Sequence, residues 1–333
     1  MTGATMGTTY HIKLSALPAG AELTQLQQGV DALLEEVNQQ MSTYRPDSEV
    51  SRFNRAPADE WFDVSPATAE VVTEALEVSR ETDGALDITV EPLVELWNFG
   101  PAGVSDAPGE TEFHVPDQET INSALERVGW QKLSVQLDPP ALRKSVEGLE
   151  IDLSSVAKGY GVDRVAEFLE DHGVSDYMVE IGGEVRAAGQ RPDGRPWRIG
   201  IERPETDRRQ AQWVVPLANA GLATSGDYRN YFVYDGHHYS HILNPSTGRP
   251  VGHSAASVSV LSDSCMQADA WATAMLVLGP ERGYDSAEKY GLAVLFISRT
   301  DDGFDTRASS DWQEKLPGVV PEQTNRRTMT KDE

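Results

Sequence analysis

The sequence predicts an α+β protein, with helices packed on mixed, mostly antiparallel sheets. Three observations carry that prediction. Apolar residues recur at helical spacing in several long segments. Other, shorter segments alternate apolar and polar side chains, the period of a half-buried strand. The two kinds follow one another without the strict βα alternation that a parallel, doubly wound sheet requires.

Taken in order, Tyr10, Ile12 and Leu14 alternate with His11 and Lys13 and predict a strand. Leu23, Leu26, Val30, Leu33, Leu34, Val37 and Met41 then mark a long amphipathic helix whose last turn delivers Met41 to a loop. Ser65-Pro66 is an N-cap followed by proline at the first helical position, opening a helix that stops near Asp83-Gly84. Gly84 to Leu93 reads as a glycine turn into a short apolar run, and the Gly- and Pro-rich stretch from Trp97 to Pro116 as a long loop. Ile121, Ala124, Leu125 and Val128 give a helix ended by Gly129, and Leu133, Val135 and Leu137 a strand.

At Ile151-Asp152-Leu153-Ser154-Ser155-Val156-Ala157-Lys158-Gly159 a short β-prone run passes into a helix that Gly173 stops. Tyr177–Ile181 is predicted as a strand, and Gly182-Gly183 after it permits close backbone approach. Strands follow around Trp197–Ile201, Trp213–Val215 and Ala256–Val260, then a helix beginning near Ala268 and a buried strand over Leu292–Ile297. From Gln323 to Glu333 the chain is polar and charged, the composition of a disordered tail.

Charge narrows the partners. With 53 acidic and 28 basic side chains, the formal net charge of −25 repels nucleic acid and anionic lipid. A phosphate-bearing ligand then needs a local cation or a metal. No stretch approaches the ~20 apolar residues of a membrane span. Cys265 is the only cysteine, which excludes an internal disulfide, and no neighbouring pattern marks it as a nucleophile. The chain opens without a charged and apolar leader, so any targeting signal of the precursor is expected to be absent from it.

Three stretches carry chemistry. Ser154 and Ser155 fall at a helix start, where free N–H groups suit an anion; a plain N-cap beside a surface acid and a solvated Lys158 accounts for the same residues. Asp269 and Thr273 stand four apart on one helix face and offer oxygen to a hard cation such as Mg²⁺; equally, the acid complements the helix dipole and the threonine bonds back to its own helix. His241 is a general base or a structural side chain. Arg229, among tyrosines, holds a phosphate or caps an element.

Seven motifs then occur in one order: Met6-Gly7-Thr8-Thr9-Tyr10, Met41-Ser42-Thr43-Tyr44, Asp152 to Gly159, Gly182-Gly183, Thr224-Ser225-Gly226-Asp227-Tyr228, His241-Ile242-Leu243-Asn244-Pro245 and Asp269-Ala270-Trp271-Ala272-Thr273. From Met6 to about Ile297 the chain resembles the ApbE family of FAD:protein FMN transferases. The resemblance implies one domain over 1–322, two closely packed lobes around a flavin cleft, and a tail over 323–333. It implies an enzyme that binds FAD with Mg²⁺ and moves the FMN half to a threonine hydroxyl of another protein, releasing AMP. Flavin contacts would come from Met41, Ala85, Leu86, Asp87, Asp152, Lys158 and Leu243. Metal contacts would be Asp269 and Thr273, with main-chain oxygens of Ser155 and Ala272, and His241 stands at the place of the base. Acceptors would be subunits of membrane redox complexes bearing a short segment with Ser or Thr and Gly. The resemblance also implies periplasmic residence, with a lipid anchor on the native precursor. Asn244 stands where many members have Asp. Two other readings share parts of this site: a metal-dependent FAD pyrophosphatase, with water as nucleophile, and a non-enzymatic flavin carrier, which would need neither the metal pair nor the base.

Overall fold

The computed structural model of the chain describes residues 1–100, 115–205, 210–228 and 230–320. The disordered-tail expectation, most of the long-loop expectation and Arg229 lie outside the described residues.

An eight-stranded sheet forms the frame, and its strands lie side by side in chain order: β1 (Thr2–Thr5), β2 (Thr8–Leu14), β3 (Tyr177–Ile181), β4 (Glu184–Ala188), β5 (Ala220–Gly226), β6 (Ala255–Ser262), β7 (Ala293–Thr300) and β8 (Gly303–Ala308). Every neighbouring pair is antiparallel. The sheet is thus a meander into which helices have been inserted. Between β2 and β3 come α1 (Leu23–Met41), α2 (Glu49–Asn54), α3 (Pro66–Glu81), α4 (Glu91–Leu96), α5 (Gln118–Leu125) and α6 (Ala157–Asp171). Between β6 and β7 comes α7 (Cys265–Tyr290), and α8 (Ser310–Lys315) closes the described chain.

Both faces of the sheet are covered, and strand alternation shows it. In β7, Val294 and Phe296 pack into the core shared with α3 and α7. Ala293, Leu295 and Ile297 point the other way, toward Trp312 and the ribbon formed by Trp197–Glu202 and Ala211–Leu217. A strand buried on both sides reads as a continuous apolar run, as expected for Leu292–Ile297. Further along the sheet, Tyr177, Val179 and Ile181 of β3 bury against Leu26, Val30 and Leu34 of α1 and Val165 and Leu169 of α6.

Helix boundaries follow local chemistry. Ser65 caps α3 by accepting from Thr68 N–H, with Pro66 behind it. Ser264 caps α7 in the same way through Gln267 N–H, which starts that helix ahead of the Ala268 expected. Gly279, at φ 79°, interrupts α7 before Pro280, so two helices meet at a kink.

Two expectations need correction. The run ending at Leu153 is not a strand: its backbone is satisfied by a side chain, with Asn54 Nδ2 donating to Ile151 O at 3.0 Å and Ile151 N–H donating to Asn54 Oδ1 at 2.8 Å. Neither Ser154 nor Ser155 caps α6, whose N-cap position is Val156 with no side-chain bond. Ser154 instead turns back on Asp152, its N–H and hydroxyl each 2.8 Å from a carboxylate oxygen. The apolar run after Gly84 passes through turns to Val90, and α4 begins only at Glu91, with Pro92 in its first turn. The short helices α2 and α8 had no clear period and were not foreseen.

Candidate active site

A cavity of about 1130 Å³ opens between the helices of the β2–β3 insertion and the ends of β4 and β5. That is at the upper end of the volumes usual for ligand sites, so it suits a ligand larger than a single nucleotide. Its wall brings together residues from nine separate parts of the chain.

The apolar part comes from helix ends and turns. Met41 at the last turn of α1, Ala85 and Leu86 in the turn after α3, and Leu243 all line it and are under a tenth exposed. Asp87 lines it too, but its carboxylate is already engaged by Thr89 N–H at 2.9 Å, Thr89 Oγ1 at 2.6 Å and Trp130 N–H at 2.8 Å. Burial raises its pKa despite those bonds. Asp87 therefore holds the turn that presents Ala85 and Leu86.

The polar part centres on Lys158, in the first turn of α6. Its Nζ lies 3.2 Å from Glu184 Oε1, 3.4 Å from either oxygen of Asp269 and 3.3 Å from Ser154 O. Burial works against the charge of Lys158, but Asp269 and Glu184 more than offset it and raise its pKa. Burial also raises Asp269, opposed by Lys158, and raises Glu184 to about 8. Two buried carboxylates share one ammonium, so one of them retains a proton near neutrality.

Asp269 reaches Lys158 because α6 and α7 cross very closely. A Cβ on Gly159 would lie 2.4 Å from Cys265 O, so only glycine permits the approach. The same crossing lets Gly159 N–H donate to Asp269 Oδ2 at 3.0 Å. Thr273, one turn beyond Asp269, has its hydroxyl 3.0 Å from Ser225 Oγ on β5. Ser155 lines the cavity, whereas Ala272, between Asp269 and Thr273, is fully buried and does not.

His241 lines the cavity from the rim. Its Nδ1 is 3.0 Å from Asn230 O, an arrangement in which Nδ1–H donates and Nε2 is left as an acceptor. Burial lowers its pKa, against the Asn230 bond, so the ring is neutral at physiological pH. Asn244 does not line the cavity: its Oδ1 accepts from Ser246 N–H at 2.9 Å and Thr247 N–H at 3.3 Å, closing the turn after Leu243. An asparagine does that as well as an aspartate. Cys265 is fully buried, with burial holding its thiol well above the ordinary value, and is inert as expected.

Sequence reasoning missed two acids. Glu184 on β4 and Glu91 at the start of α4 are 3% and 4% exposed, line the cavity, and each has a carboxylate oxygen without a hydrogen-bond partner. Burial, with Asp152 adding to it, raises Glu91 to about 9. The only signal at Glu184 was its position after Gly182-Gly183, and at Glu91 there was none. Asp152 lies deep in the cleft, where burial raises its pKa against the two Ser154 bonds.

Among the described residues no three His, Cys, Asp or Glu side chains converge as metal ligands. A cation here would rest on one carboxylate, a hydroxyl and main-chain oxygens. That all-oxygen set fits a hard ion such as Mg²⁺ and not zinc. Asp269 is buried, and the long contacts to Lys158 leave one of its oxygens weakly engaged, so the fit holds.

Fold and site define a class: an α+β cleft protein with a neutral histidine at the rim of a large cavity and a carboxylate–ammonium cluster in its wall. A family model described as the ApbE family matches residues 6–296, and the chain belongs to that family. It is 49% identical over 313 residues to a protein of Vibrio cholerae named FAD:protein FMN transferase, covering 94% of this chain and 91% of that one. A protein of the same name from Escherichia coli K12 is 37% identical, covering 95% and 88%. Among solved structures, the apo form of Pseudomonas stutzeri flavinyl transferase ApbE superposes with a TM-score of 0.86 at 42% identity, covering 96% of this chain and 97% of that one.

Proposed function

We propose that the protein transfers the FMN half of FAD to a threonine hydroxyl of an acceptor protein and releases AMP. The observation that carries this reading is that His241, whose Nδ1 is taken up by Asn230 O, and the Lys158–Asp269 cluster line the same cavity. The relatives' names support FAD as donor and a protein as acceptor.

The apolar wall of Met41, Ala85, Leu86 and Leu243 would hold the isoalloxazine, and the Asp152 to Lys158 turn the pyrophosphate. The threonine oxygen attacks the FMN phosphorus, its proton passes to His241 Nε2, and the bond from that phosphorus to the bridging oxygen breaks so that AMP leaves. Lys158 places positive charge beside the oxygens that gain negative charge. Mg²⁺ held by Asp269, Thr273 and the Ser155 carbonyl would supply charge neutralisation on the pyrophosphate. Ser154 and Ser155 are not the nucleophile, because the attacking hydroxyl belongs to the partner. Subunits of membrane redox complexes are the proposed acceptors, met at the periplasmic face of the inner membrane.

The test is to incubate the protein with FAD, Mg²⁺ and a threonine-bearing acceptor and to follow AMP and acceptor mass. An FMN adduct formed with AMP supports the transferase; free FMN without adduct supports a pyrophosphatase; intact FAD supports a carrier. EDTA should stop adduct formation and added Mg²⁺ restore it.

A further inference from the structure

The transfer reaction needs a macromolecular hydroxyl at the cavity rim. What guides it there is not part of the cavity. His241, however, is also the last link of a short hairpin, Tyr231–Tyr234 paired with His237–Ser240. Its main-chain N–H donates to Asn230 O at 3.1 Å, the same carbonyl that its ring bonds, and both residues line the cavity. The base of the hairpin and the site of proton transfer are therefore one structure.

The hairpin is held on one side and open on the other. Phe232 sits 5.0 Å from Phe99, and Tyr239 stacks on Trp97 at 5.8 Å, which anchors that face. On the opposite face Val233 is 65% exposed, beside His238 stacked on Tyr231 at 4.3 Å. A valine so placed leaves most of its apolar surface in water.

Among the described residues the backbone of the ribbon is open as well. Asp235 and Gly236 both have positive φ, 48° and 75°, the two-residue turn that makes Tyr234 and His237 a hydrogen-bonded pair. Pairs then alternate, so Phe232/Tyr239 and Asn230/His241 are bonded, as the His241-to-Asn230 bond agrees. Tyr231 and Val233 on one strand, and His238 on the other, point their N–H and C=O groups outward. Among the described residues this sheet has two strands and no third.

We infer that this hairpin is the docking ribbon of the acceptor protein, which adds an extended segment along it and so brings its hydroxyl to His241. The inference rests on the transferase reading. Open edge groups beside an apolar side chain are what strand addition uses: main-chain bonds give affinity and alternate side chains give selection. A four-residue strand spans about 13 Å, so a segment paired to the ribbon runs from its tip to the histidine at its base.

The experiment uses the full chain with Val233→Glu and, separately, Val233→Lys. The acceptor is a soluble redox-subunit domain from the same organism bearing a Ser/Thr–Gly segment. Both variants should raise KM for the acceptor about tenfold or more, with FAD affinity and acceptor-independent FAD cleavage within twofold of wild type. Loss in both charge senses shows that an apolar contact, not a charge, was removed. Unchanged acceptor KM, or a loss of FAD affinity equal to the loss of transfer, overturns the docking role, as does a change in oligomeric state with acceptor KM intact. Wild-type protein that cleaves FAD without forming an adduct overturns the transferase reading and the docking role together.

Discussion

The same two helices carry two buried acid–base clusters, and the clusters differ in how well they are satisfied. At one, Asp163 of α6 accepts from Ser264 Oγ, Cys265 N–H, Met266 N–H and Arg186 at 2.8 to 3.0 Å. Three of these bonds fix the start of α7, and the fourth ties Arg186 of β4 to α6. At the other, Asp269 and Glu184 share Lys158 at 3.2 to 3.4 Å, and one oxygen of Glu184 has no partner. Buried polar groups are normally paired, and an unpaired one costs about 1–3 kcal/mol. The first cluster has spent its bonding capacity on the fold, while the second has capacity left for a ligand. Both draw an acid and a base from α6, α7 and β4, so charge alone would not separate them.

Mutations can break that contrast, beginning with the largest expected effect. Asp269→Ala should lower FMN transfer by about a thousandfold or more, since it removes the one carboxylate of the proposed metal site. Circular dichroism should be unchanged, and full activity of the variant would sink the metal assignment. His241→Gln should cost about a hundredfold or more in kcat. Because burial lowers the His241 pKa, the neutral base persists below the ordinary histidine value of 6.5. The wild-type rate should therefore fall only at pH below 6.5, and this acid limb should vanish in the variant.

Asp163→Ala should show the opposite behaviour. Removing the acceptor shared by Arg186 and three other donors should cost about 3 kcal/mol of unfolding free energy by denaturant titration, with kcat of the folded fraction within about twofold of wild type. A kcat loss comparable to that of Asp269→Ala would erase the distinction between the clusters. The smallest effect is expected at Glu184. Its folded pKa is raised from 4.5 to about 8, so the folded state binds the extra proton between those values. Stability should then decline as pH rises from about 5 to about 8, and Glu184→Gln should flatten that slope. A slope unchanged in Glu184→Gln would assign the shared proton to Asp269.

Much of the fold was legible because it depends on local period. Helix spacing marked α1 and α3, with Ser65-Pro66 placing the start of α3 at its observed cap. Alternation marked β2 and β6, while the unbroken apolar run of β7 reported burial on both faces. Order along the chain carried the family: the motifs from Met6 to Thr273 fall within the matched residues 6–296. What the period could not show was the backbone of Ile151–Leu153, β-prone in composition yet tied by the Asn54 side chain almost a hundred residues earlier.

The sequence by itself determined which residue types are present, where the long helices and the regularly patterned strands run, and that an acid, a lysine and glycines meet at one helix start. Only the tertiary structure decided which acids matter there. Lys158 meets Asp269 across 111 positions, and Glu184 joins them from a strand that no spacing connects to either. Whether a carboxylate is satisfied or left with capacity depends on burial and on partners remote in the chain. Local pattern reports the stiffness and period of a segment, whereas the charge state and free valence of a buried side chain are set by everything that packs around it.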